Sequence, residues 1–183
     1  MKNPWKTLKQ TIVYTGLVGH KVRIDNVIGP SGKKSEYFVV EAKSNSTILA
    51  ITTGGKVVME KTWRYPIEKE SFELPVGGID KGEEPLETAK RELMEETGYT
   101  GGEWEFLGSY FDNNSYCKAK THIFWAKNVI APCTGSGFPE NSDENELIEV
   151  ELIDLEVLKK MVADGTIEDG RTKMAVLLAK DIL

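Results

Sequence analysis

Cysteine and histidine are scarce in this chain: its 183 residues include only Cys117 and Cys133, and only His20 and His122. Two cysteines without CxxC spacing read as free thiols of a reducing compartment. Both histidines fall in strand-like segments, where packing or surface roles are the expectation and ligation is not. The N-terminus carries charges and no sustained apolar run, which argues against a signal peptide and a spanning helix and points to the cytoplasm. Positive charge is in deficit too, with 23 Lys and Arg against 29 Asp and Glu and a net charge of −6. That balance disfavours a general binder of nucleic acid polymers or anionic membranes. It leaves a nucleotide substrate open, because bound cations invert the local field. Internal repeats and low-complexity tracts are absent as well.

What is present fits one globular domain with a substantial core and a small N-terminal extension. Hydrophobic residues at 40% and charged residues at 28% are ordinary for such a domain. Val22 to Ile28 and Ser35 to Glu41 read as strands about the turn Pro30-Ser31-Gly32-Lys33. Ser46 to Thr53 and Lys56 to Glu60 read as a hairpin about Gly54-Gly55. Trp104 to Phe111, Thr121 to Ala126 and Glu149 to Ile153 are further strands, and residues 131–145 read as a mobile loop. Asp154 is placed to cap a helix ending near Gly165, and a last helix runs through Met174, Leu177 and Leu178. Strands flanked by helices predict an α/β layered domain.

The richest segment is GGIDKGEEPLETAKRELMEETGY, from Gly77 to Tyr99. Pro85 suits a first helical turn and Gly98 the position just past the last. Leu86, Ala89 and Leu93 recur at helical spacing as one apolar stripe. At about 100° per residue Glu92, Glu95 and Glu96 project together beside it. Such a helix breaks its own electrostatic rules. Glu92 and Glu96 are like charges one turn apart, and Glu95 and Glu96 crowd the negative end of the dipole. Carboxylates kept in that arrangement suit a hard divalent cation, held by oxygen ligands together with a substrate phosphate. A lone E-x-x-E-E would be read as a solvated acidic face. Here every fixed position of the pattern G-x5-E-x7-R-E-U-x-E-E-x-G-U is filled, with U apolar or aromatic.

That pattern is the Nudix box, and the chain resembles the Nudix hydrolases, most closely their ADP-ribose pyrophosphatase branch. The segment MEKTWRYP at 59–66, ELPVG at 73–77, DENE at 143–146, IEV at 148–150 and the DG-x-I segment at 164–167 carry the branch likeness. The resemblance implies an α/β/α sandwich with a mixed sheet and an N-terminal β-hairpin extension. It divides the chain into residues 1–42, a β-strand extension serving as a dimerisation element, and a Nudix domain at 43–183 with its box at 77–99. It also implies Mg²⁺-dependent hydrolysis, with Mn²⁺ as a substitute, of a nucleoside diphosphate derivative. ADP-ribose leads, giving AMP and ribose 5-phosphate.

Carried over by position, Glu92, Glu96 and Glu146 would hold metal, with the Val76 carbonyl as a further ligand. Glu144 would be the general base, Glu95 would stand beside the metal carboxylates, and Arg91 would orient them. An ion pair of Arg91 with Glu87 is the structural alternative. Glu83 would join the outer metal shell or decorate its loop. Gly77 and Gly78 would admit metal and phosphate to the backbone, Arg64 would contact substrate, and Trp63 would stack on a base or pack. One stretch departs from the branch. FDNNSYCKAK at 111–120 lacks the proline of a Ser-Pro-Gly-like turn, which brings forward another nucleotide sugar, a GDP- or ADP-linked hexose. A non-catalytic nucleotide sensor is the reading from a different class, and a homodimer is implied by the branch.

Overall fold

The computed structural model describes residues 2–16, 19–132 and 147–181. In chain order it contains β1 (Lys6–Thr15), β2 (Lys21–Ile28), β3 (Lys34–Glu41), β4 (Asn45–Thr52), β5 (Lys56–Arg64), β6 (Lys69–Glu73) and β7 (Val76–Gly78). There follow α1 (Pro85–Thr97), β8 (Glu103–Phe111), β9 (Lys120–Val129), β10 (Ile148–Asp154), α2 (Leu155–Ala163) and α3 (Gly170–Ala179). Two compact units result, one of Met1–Ser44 with Tyr110–Lys120, the other of Asn45–Ser109 with Thr121–Leu183.

The first unit is an antiparallel sheet in the order β1-β2-β3. Val40 pairs with Cys117 at its margin, which draws the 110–120 segment into the unit. The Arg23 guanidinium holds Asp25 at 2.6 Å and also pairs with Glu41. Trp5 and Tyr37 meet edge to face at 5.1 Å.

The second unit is built on a mixed sheet in the order β10-β5-β4-β9-β8, with β6 paired to β5 and β7 to β4. β4 lies at its centre, parallel to β9 and antiparallel to β5 and β7. Alternation along β4 assigns its two faces. Ile48 and Ala50 join Val58, Phe124 and Ala126 in a buried cluster with Ala89 and Leu93 of α1. Thr47 and Leu49 point the other way and are equally buried. α3 packs on β4 as α1 does, while α2 packs on β10 and β5. The fold is thus the expected α/β sandwich around a mixed sheet, with a separate N-terminal antiparallel sheet. Among the described residues no helix is long and apolar enough to cross a membrane.

Several local expectations need correction. β5 runs on to Arg64, and β1, β6 and β7 are strands that sequence alternation left unread. β1 is exposed along nearly its whole length, so it shows no apolar phase. His20 precedes β2 and is not in a strand, whereas His122 lies in β9, its ring 6.2 Å from that of Phe106. Asp154 occupies the α2 cap position without bonding the helix, because its carboxylate pairs with Lys56 at 2.8 Å. In α3 the buried face is Thr172, Ala175, Val176 and Ala179, and Leu177 and Leu178 are exposed.

Candidate active site

α1 begins where Pro85 fixes the first turn and ends at Gly98, whose φ of 73° places it in the left-handed region that favours glycine. Its start is tied to the sheet, since the Ser46 hydroxyl on β4 donates to the Pro85 carbonyl at 2.7 Å. The apolar stripe Ala89 and Leu93 is fully buried against that sheet. Burial of the stripe rotates Glu92 and Glu96 towards β7. There the backbone makes room: a Cβ on Gly77 would lie 1.8 Å from the Glu92 carboxyl carbon. One residue earlier, the Val76 N–H donates to Glu96 Oε2 at 3.1 Å. Val76, Gly77, Glu92 and Glu96 are therefore brought together.

Arg91 organises the exposed side of the same cluster. Its Nε and Nη2 take the two Glu83 oxygens at 2.9 and 3.0 Å. Nη1 reaches Glu95 at 2.9 Å and Glu92 at 2.8 Å, and Nη2 also donates to the Gly78 carbonyl at 3.3 Å. The alternative partner Glu87 is not used; it pairs with Lys90 at 2.9 Å. Glu83 is so well served by the Arg91 donors that its pKa falls to about 2.

Glu92 and Glu96 behave oppositely. Burial pushes Glu92 up against the opposing pull of Arg91, and Glu95 and Glu83 add to the rise. Glu96 is pushed far above the carboxylate range, first by burial and then by the charges of Glu60 and Glu92. Glu60, on β5 and 1% exposed, also hydrogen-bonds Glu96. Sequence reading passed over this residue, placing it at a strand end. Its signal was a charge in phase with Val58 on the face that packs on α1.

The donor set is oxygen throughout, and its carboxyl groups are crowded together out of water, an arrangement that fits a hard dication. Among the described residues no three acidic, histidine or cysteine side chains form a preformed cage. Asp143, Glu144 and Glu146 lie outside the described residues, as does Cys133; Cys117 is a free thiol.

Arg64 and Trp63 line pockets that include neither Glu92 nor Glu96. Arg64 is locked onto Glu73, which is 2% exposed, with Nε–Oε1 3.0 Å and Nη2–Oε2 2.8 Å. Together with Pro66, Ile67 and the first turn of α3 they line a pocket of about 370 Å³. Trp63, 57% exposed, falls on the opposite phase of β5 from Glu60 and lines a pocket of about 340 Å³ with Lys61, Glu70 and Glu149. Glu73 and Arg171 were not anticipated, since their pairing spans 98 positions of sequence.

Comparisons with known proteins identify a family and a fold. The NUDIX domain family model matches residues 43–174. The chain is 32% identical over 171 residues to a methanol dehydrogenase activator of Bacillus methanolicus, covering 93% of this chain and 90% of that one. It is 32% identical over 173 residues to an ADP-ribose pyrophosphatase of Bacillus subtilis (strain 168), again covering 93% and 90%. The crystal structure of an ADP compounds hydrolase superposes with a TM-score of 0.84 at 20% identity, covering 98% of this chain and 94% of that one, a likeness of fold.

Proposed function

The chain belongs to the Nudix family, and on that premise we propose that it hydrolyses the diphosphate bond of a nucleoside diphosphate derivative, with ADP-ribose the leading substrate. The observation that carries this reading is the seating of Glu92 and Glu96 against Val76 and Gly77, where no side chain fits on Gly77. Likeness along most of the chain to an ADP-ribose pyrophosphatase supports the substrate class.

Glu92 and Glu96 would hold Mg²⁺ or Mn²⁺, with the Val76 carbonyl and Glu146 as further oxygen donors. When bound, the ion offsets charge on the diphosphate and lowers the pKa of the attacking water. Arg91 holds Glu92 and Glu95 in place while bound to Glu83. Gly77 and Gly78 let the backbone approach phosphate. Glu144 takes a proton from water as the new P–O bond forms and the bridging P–O bond breaks, giving AMP and ribose 5-phosphate from ADP-ribose. Arg64 contacts the substrate, and Trp63 offers its ring to a base from the pocket it lines. The free Cys117 thiol suits a cytoplasmic setting.

A second reading, a GDP- or ADP-linked hexose as substrate, is favoured by the 111–120 stretch. In place of a proline turn, Asn113 accepts from the Cys117 N–H at 2.8 Å and from the Ser115 hydroxyl at 2.5 Å. A phosphatase-coupled screen of ADP-ribose, nucleotide sugars, dinucleotides and nucleoside triphosphates with Mg²⁺ decides among these. ADP-ribose is expected to give the highest kcat/KM, and binding without turnover of any compound would make the chain a sensor. Glu92→Gln and Glu96→Gln should each lose most turnover with the fold intact. Glu144→Gln should lower kcat by about 10²–10⁴ with little change in Mg²⁺ affinity, as loss of a general base does. Glu146→Gln should instead shift the Mg²⁺ dependence. Wild-type turnover in Glu92→Gln or Glu96→Gln would remove α1 from the chemistry.

A further inference from the structure

The pocket that holds Arg64 contains a second guanidinium. Arg171, in the first turn of α3, donates from Nη2 to Glu73 Oε2 at 2.6 Å, the oxygen that also takes Arg64 Nη2. Its Nε donates to Asp169 Oδ1 at 2.9 Å. Asp169 Oδ2 in turn caps α3, accepting from the Thr172 N–H and hydroxyl, each at 2.8 Å. The Thr172 hydroxyl oxygen accepts from the Leu74 N–H at 3.0 Å, which returns the network to the residue after Glu73. Charges alternate along it: Asp169, Arg171, Glu73, Arg64.

Each member constrains the next. Glu73 is sealed from water, so its charge needs fixed partners. A carboxylate held by one arginine alone keeps freedom to rotate with it. The Arg171 donor pins Oε2 from a rigid helical turn, and Arg64, bound through Nε and Nη2, must follow the plane of the pinned carboxylate. The Arg64 side chain remains about one-third exposed (31%) on the pocket wall, whereas Glu73 forms the floor. Glu73 takes two of the Arg64 donors, Nε and Nη2. Such a guanidinium meets an anionic ligand already oriented, so less freedom is lost on binding.

We propose that Arg171 is a positioning residue for substrate, acting through Glu73 to hold the Arg64 guanidinium in the plane that receives the phosphate-bearing end of a nucleoside diphosphate derivative. This rests on the reading of Arg64 as a substrate contact given above. A merely structural Arg171 would dock α3 and have no effect that depends on Arg64.

A double-mutant cycle separates the two roles. Arg171→Met keeps most of the side-chain volume and deletes the donors. It should raise KM by roughly tenfold, the size of one charge-assisted hydrogen bond, with kcat changed much less. In an Arg64→Ala background the same substitution should leave KM where Arg64→Ala alone puts it. Arg171→Lys, which keeps charge but has no fork, should fall between wild type and Arg171→Met. Equal KM effects in both backgrounds, or an unchanged KM, would overturn the proposal. The Arg64 Nε–H resonance provides a readout without turnover: it should exchange slowly in the wild type, and shift and exchange faster in Arg171→Met or, where that variant does not fold, in Arg171→Lys. An unmoved resonance in a folded variant overturns the proposal as well. Lack of hydrolysis by the wild-type protein would instead overturn the proposed function, leaving the resonance to decide the positioning role.

Discussion

At Gly77 the space that a Cβ would take is held by the Glu92 carboxyl group, 1.8 Å from the ideal Cβ position. The fixed glycine at the head of the box thus has a local cause that concerns neither turn geometry nor a positive φ. Gly77→Ala should push Glu92 off its seat. Displacement of a reacting group by about 1 Å typically costs on the order of 10² in rate, and kcat should fall by at least that much. Glu92 has a route outward, alongside Arg91, so the melting temperature should move by only a few degrees. Full activity in Gly77→Ala would show that the seat is dispensable. Arg91 teaches the complementary point. Its helical neighbour Glu87 was the local candidate for an ion pair, yet Glu83 from the preceding loop took the bidentate position. The loop turns back through Gly82, with φ of 86°, and the Asp80 N–H donates to Glu83, which presents that carboxylate to the helix.

Between elements, the contact of α1 with β5 sets the protonation of a carboxyl pair. Glu96 lies against Glu60 and is pushed well above the carboxylate range by burial and by neighbouring charge. A carboxyl group whose folded pKa is raised stabilises the fold fully below its unfolded value. That contribution is lost as pH rises from there through the folded value. Burial beside Glu60 favours the protonated form when no metal is bound, and a cation that needs the carboxylate must displace that proton. Binding of Mg²⁺ or Mn²⁺ should release protons, tighten as pH rises and weaken as it falls. Calorimetric titrations in two buffers of different ionisation enthalpy will show this as two different apparent enthalpies. Identical enthalpies in both would contradict the linkage. Glu96→Gln should abolish the proton release and make metal-free stability less sensitive to alkaline pH. The pairing of α1 with β5 was invisible locally, because Glu60 and Glu96 belong to elements with β6, β7 and the box loop between them.

For the whole molecule, assembly turns on the N-terminal unit. Leu8, Ile12, Val13, Tyr14 and Phe38 are exposed large apolar side chains of β1 and β3. The strand register puts Ile12 on the opposite face of this sheet from Tyr14 and Phe38, so apolar side chains are exposed on both faces. We propose that this sheet is where two copies of the chain meet. Light scattering coupled to size exclusion should give twice the 20.4 kDa chain mass. Substituting Ile12 and Phe38 together by Asp should shift that mass towards one chain. A single-chain mass for the wild-type protein would end the proposal.

Much of this was legible because local physics wrote it. Pro85 and Gly98 bound α1 through the first-turn preference of proline and the left-handed preference of glycine, and the helix spans Pro85–Thr97. Gly54-Gly55 turns β4 into β5, with the Gly55 N–H donating to Thr52 at 2.9 Å. Glu92 and Glu96 were findable because their pattern violates helix electrostatics on its own terms. What sequence could not decide was which distant groups meet. Glu60 reaches Glu96 through strand register and helix rotation, and Arg171 reaches Glu73 across 98 positions because α3 returns to the end of β6. Propensity and spacing act over a few residues, whereas these meetings are set by packing whole elements into one core. The sequence by itself therefore determined the helix that carries the carboxylates. Only the tertiary structure decided the buried partners that set their charge and fix the arginines.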